Sequence, residues 1–118
     1  MDTSALVIGH TYYRLTFADA DLTMPGVEPL VFLGEAMDEG GARGFVFQDT
    51  VSYVRYGSGL EGEDQPEEIA LFFMSEEDAQ SVADIGKLAA EVAQAAHRAA
   101  SLNFPVLPVL RDRWESGS

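Results

Sequence analysis

Residues 12–18, "YYRLTFA", alternate. Tyr13, Leu15 and Phe17 fall on one side, and Tyr12, Arg14 and Thr16 on the other. A period of two marks a half-buried strand. The Asp-rich "DADLTMPG" that follows reads as a loop. Residues 29–34, "PLVFLG", form a short apolar run and a second strand, and Gly40-Gly41 supplies the next turn. Residues 45–57, "FVFQDTVSYVRYG", are long for one strand, so a bulge or sharp bend is expected at Gln48-Asp49-Thr50. Residues 69–74, "IALFFM", are the last strand of the series.

The period then changes. Ser75 followed by Glu76, Glu77 and Asp78 reads as an N-cap with acids in the first helical turn. Ile85, Leu88, Val92, Ala95, Ala99 and Leu102 recur every three or four residues, one apolar stripe of a helix. Gly86 interrupts the pattern and Asp84 offers a second cap, so 76–102 is either one flawed helix or two. Pro105 and Pro108 keep the residues beyond it extended.

Strands in series followed by a helix give an α+β order. The expected architecture is a four- or five-stranded bent antiparallel sheet, curled into a partly open SH3-like barrel, with a C-terminal α-helix packed on it. The 118 residues fit one domain, strand-rich over 10–74, helical over 75–102 and extended over 103–118.

Charge changes the picture more than composition does. The chain has 20 acidic and seven basic residues, a formal net charge of −13. Such a surface disfavours nucleic acid and anionic membranes and attracts basic proteins. Eight of the acids lie within 61–78, a stretch without a single Lys or Arg. Glu76, Glu77 and Asp78 suit a helix start, but Glu61, Glu63, Asp64, Glu67 and Glu68 serve no evident purpose in the fold.

Catalytic motifs fail on context. Gly57-Ser58-Gly59-Leu60-Glu61-Gly62 spells a dinucleotide fingerprint, but acids and a proline follow where a phosphate-binding helix should begin. Ser58 does not sit in a nucleophile elbow. Cys is absent, and His10 and His97 have no metal-ligand spacing. Asp19 and Asp21 lie in a segment that lacks the acid spacing of a calcium loop. No enzyme activity, cofactor or dedicated metal is therefore expected. Residues 1–10 carry no basic leader, and no apolar run reaches the ~18 residues of a membrane span, so a cytoplasmic protein is expected.

The reading is a small acidic protein-binding domain of the inhibitor or immunity type, a monomer or homodimer that blocks a basic partner such as a nuclease toxin. Its candidate contact residues are Glu61, Glu63, Asp64, Glu67, Glu68, Tyr53 and Tyr56. The alternative is an SH3-like adaptor whose aromatic groove, built from Tyr12, Tyr53 and Tyr56, makes the contact while the acidity is incidental.

Overall fold

The computed structural model describes residues 1–61 and 67–102. Strands β1 (Thr11–Phe17), β2 (Pro25–Met37), β3 (Arg43–Asp49) and β4 (Leu71–Ser75) form one antiparallel sheet in the order β1-β2-β3-β4. Helix α1 (Thr50–Tyr56) follows β3, and α2 (Glu76–Gln80) and α3 (Ile85–Ser101) follow β4. A single 3-10 turn, Thr3–Ala5, precedes β1. The expected α+β fold with a bent antiparallel sheet holds.

The sheet is apolar on both faces. On one face, Tyr12, Leu30, Phe32, Phe45, Phe47 and Met74 form the main core with Ala79 and Val82. Tyr12 satisfies its hydroxyl there by accepting the Val7 N–H at 2.8 Å. On the other face, Val31, Leu33 and Val46 form a smaller cluster under Tyr53 of α1. Two-sided burial explains why β2 and β3 read as continuous apolar runs rather than alternating ones.

The sheet also curls. The Arg14 guanidinium of β1 lies 5.3 Å from the centre of the Phe72 ring of β4. Three strand spacings in a flat sheet would hold these strands about 14 Å apart. A register shift between Phe32 and Gly34 of β2 contributes to the bend. The curl stops short of closure. Among the described residues there is no fifth strand, and β1 and β4 do not pair, so no barrel is sealed. The chain after β4 crosses the open side instead. It places Ala79 and Val82 in the core, and Ala83 then exchanges backbone hydrogen bonds of 2.8 and 2.9 Å with Tyr13.

One sequence expectation changes, and one left open is decided. Residues 50–56 are a helix, not the second half of a strand. Asp49 caps that helix by accepting the Ser52 N–H at 2.9 Å, and Gly57 at φ 79° ends it. The seven residues between these two signals take the helix even though Val51, Tyr53 and Val54 favour strands. The region after Ser75 is two helices, because Asp84 accepts the Lys87 N–H at 2.8 Å and starts α3 afresh.

Helix α3 packs against β1 along a line rotated from the expected stripe. Ala95 is buried and Leu88 half-buried, while Arg98 lies over Phe17 and donates to the Leu22 carbonyl at 2.8 Å. Ile85, Val92 and Leu102 remain exposed. Residues 103–118, expected to be extended, lie outside the described residues.

Candidate functional site

The site is built from the end of β3 outward. Gln48 is fully buried, and its amide is completely used. Its Nε2 donates to Ser52 Oγ at 2.9 Å and to the Gly57 carbonyl at 3.0 Å, and its Oε1 accepts the Gly59 N–H at 2.7 Å. Asp49, one residue on, accepts from Ser52 N, from Ser52 Oγ and from Ala70 N at 3.1 Å. Burial pushes the Asp49 carboxyl up. The hydrogen bonds from Ser52 and Ala70 outweigh that effect and hold it below the usual carboxylate range. Gly59 sits so close to Ile69 and Leu71 that a Cβ there would approach both side chains to 3.0 Å. These contacts pin the two ends of the acidic stretch, Gly57–Gly59 and Ile69–Ala70, to the same place on β3.

Beyond that root, the acids surround β4. Glu67 and Glu68 precede the strand, and Glu76, Glu77 and Asp78 follow it, all exposed. Glu76 accepts from Thr3 Oγ1 at 3.3 Å and lies 3.7 Å from the Arg43 guanidinium. Glu67, Glu68, Glu77 and Asp78 enter no ion pair among the described residues. Of the nearby cations, Arg14 is engaged with Glu28, and Arg43 is shared between Glu35 and Glu76. Both ends of one short strand thus carry uncompensated negative charge.

Strand β4 itself is one of the two outer strands of the sheet, β1 being the other. Its residues Leu71 and Phe73 share one face and are 46% and 52% exposed. The tip of the Phe73 ring sits over Gly44 of β3, where a Cβ would come within 1.9 Å of it, so only glycine lets the aromatic cover the strand there. A groove of about 460 Å³ runs beside β4, lined by residues 71–74 together with Arg14, Asp78 and Ser81. Four consecutive strand residues line it because it follows the edge of the strand rather than one face.

The sequence-derived contact residues divide accordingly. Glu67 and Glu68 lie on this acidic surface, and Glu61 is exposed at its start. Glu63 and Asp64 lie outside the described residues. Tyr53 packs on Val31, Leu33 and Val46, and Tyr56 is exposed at the end of α1. Tyr12, Tyr53 and Tyr56 do not assemble into one groove, because Tyr12 belongs to the core on the opposite face from Tyr53.

No protein-family model, curated protein or solved structure matches this chain.

The rejected motifs have structural roles. Gly57 and Gly59 of the nominal dinucleotide fingerprint are two of the three hydrogen-bond partners of the Gln48 side chain. Asp19 folds its own loop. It accepts from Thr23 Oγ1 at 2.7 Å and from the Thr23 and Met24 N–H groups at 3.0 and 2.8 Å, which allows Leu22 to adopt φ 59°. The Thr23 hydroxyl, helped by these amides, holds the Asp19 carboxyl below its ordinary range. His10 and His97 are both exposed. Among the described residues no group of three or more His, Asp or Glu side chains is placed to hold a metal ion, and no helix is long and apolar enough to cross a membrane.

Two features of the site escaped the sequence reading, the Gln48 clamp and the β4 groove. The clamp had a legible trace in Asp49 and Gly57, a cap and a stop spaced for two helical turns. The groove had none, because an edge strand is defined by what fails to pair with it.

Proposed function

We propose that this chain is a small, non-enzymatic protein-binding domain that blocks a basic partner, as an inhibitor or immunity protein does. Its carboxylates would occupy positions that a nuclease-type partner otherwise offers to phosphates, and long-range attraction would speed the encounter. The supporting observation is the unpaired charge around β4. Glu67, Glu68, Glu77 and Asp78 are exposed and without ion pairs among the described residues, on a chain of net charge −13. Glu77 and Asp78 also complement the start of α2, but Glu67 and Glu68 lie outside any helix, and exposed charge without a partner does little for stability. An SH3-like adaptor has less support, because its aromatic groove would need Tyr12 and Tyr53 on one surface.

The test uses the partner recovered with the full chain as bait. Replacing Glu67, Glu68, Glu77 and Asp78 by Gln and Asn should slow association at least about tenfold at low salt. The difference should vanish near 1 M salt, where the Debye length falls to about 3 Å. Equal association rates for both proteins at low salt would overturn the proposal.

A further inference from the structure

We infer that the outer edge of β4, unpaired among the described residues, is a docking site for an extended, basic segment of a partner protein, which adds to the sheet as a further strand. The inference rests on the capture reading above and names where and how the partner would be held. Among the described residues, strand β4 has a sheet neighbour on one side only. Alternate residues of an outer strand turn N–H and C=O groups outward, and such an edge pairs with any suitable chain unless it is blocked. Proteins block edges with a lysine, a proline or a bulge in the strand, or by laying a helix or loop over it, and here a groove of about 460 Å³ stays open along residues 71–74. Leu71–Ser75 reads Leu-Phe-Phe-Met-Ser and contains neither lysine nor proline, and its register with β3 is unbroken.

The charge around the strand selects the occupant. A second copy pairing edge to edge would bring the acids at the ends of one β4 against those of the other, in either orientation. Glu67, Glu68, Glu77 and Asp78 are without ion pairs among the described residues, so nothing there offsets that repulsion. A segment with Lys or Arg at both ends meets carboxylates at both ends. Five paired residues span about 17 Å, which sets its length. Its side chains must alternate. One side lies beside exposed Leu71 and Phe73 and should be apolar. The other enters the groove beside Asp78, Ser81 and Arg14, whose charge is paired with Glu28, and should be small, polar and uncharged. Backbone pairing supplies affinity, and the alternating side chains supply selectivity.

The peptide KRVTVTVRK has this pattern and serves as the probe for titration of the full-length, isotope-labelled chain by NMR. The expected result is saturable binding that shifts the amide signals of residues 71–75. KRPPPPPRK keeps the charge but has no N–H in either alternating set of its five central residues, and it should bind at least about tenfold more weakly. EDVTVTVDE should not bind. Equal binding of the proline peptide, or shifts confined to residues away from β4, would overturn the edge proposal and leave capture by charge standing. So would failure of KRVTVTVRK to bind while the recovered partner still associates in a salt-dependent way. Conversely, docking of KRVTVTVRK at β4 with a partner rate indifferent to the charge substitutions would retain the edge and overturn electrostatic capture. Sedimentation that reveals a dimer dissociated by KRVTVTVRK would assign the edge to a second copy and refute the proposal.

Discussion

Replacing Gln48 by Met tests whether the root of the acidic stretch is held as described. Met has a similar length and no hydrogen-bonding amide. The substitution removes three hydrogen bonds, of 2.7, 2.9 and 3.0 Å, from a fully buried side chain. Each contributes roughly 1 kcal/mol net, and an orphaned partner costs up to about 3 kcal/mol when water cannot reach it. Gly57 and Gly59 are half-buried, so water recovers part of that cost. Met regains about 1–2 kcal/mol by burying apolar surface. The expected outcome is a loss of about 1–3 kcal/mol in denaturant unfolding, with hydrogen exchange accelerated most at Gly59 and within α1. Gln48→Glu refines the test. A carboxylate there is buried beside Asp49, which raises its pKa above the unfolded value of about 4.3. Its penalty is therefore absent below that pH and grows as pH rises through the folded value. Gln48→Glu should approach Gln48→Met in stability near pH 4 and fall well below it at pH 7. A Met variant as stable as the parent, with unchanged exchange at Gly59, would refute the clamp.

Asp49→Ala should cost about 1–2 kcal/mol at pH 7, the usual worth of a helix N-cap, read by denaturant unfolding. Because the folded Asp49 carboxyl lies below its ordinary value, this contribution is complete above the unfolded pKa of about 3.9 and fades as pH falls through the folded one, so parent and variant should converge in acid. Leu88→Ala, at the half-buried line of α3, should cost about 1–2 kcal/mol, whereas Val92→Ala, at a side chain 39% exposed, should cost under about 0.5 kcal/mol. Equal losses at these two positions would place Val92 in a contact that the packing of α3 does not contain.

How far the fold was legible depended on whether one signal acted alone. Strand β1 showed a clean period of two, and its observed limits differ from the expected ones by a single residue at each end. The cap at Ser75 and the second cap at Asp84 were readable because each stands before a change of period. Residues 50–56 carried two opposed signals. Val51, Tyr53 and Val54 favour extended backbone, and they follow directly from the strand pattern of Phe45 and Phe47. Local hydrogen bonding decided the outcome. Asp49 satisfies the free N–H of Ser52 in the first turn of the helix, and Gln48 fastens its far end at Gly57. Propensity yields to tertiary context of this kind. Sheet closure was less legible still, because curl depends on the shift at Phe32–Gly34 and on whether the chain after β4 returns to β1.

The acidic stretch was visible at once as a charge anomaly, but its relation to β4 was not. The sequence places Glu67 and Glu68 on one side of an apolar run and Glu76 to Asp78 on the other, which is also how charged residues guard an aggregation-prone strand. The fold adds that this run is an outer strand, with Leu71 and Phe73 half out of the core. An outer strand of this composition has to be kept from its own copies, and like charge at both ends does that without inserting a residue that would spoil pairing. The same arrangement leaves the edge open to a chain of opposite charge. Guarding the strand and receiving a basic partner therefore place the same demand on these positions, and the two roles separate only in what is added to the solution. Neutralising the acids should increase self-association if they guard the edge and should weaken KRVTVTVRK if they recruit a partner. Both changes together, in one variant, are the expected result.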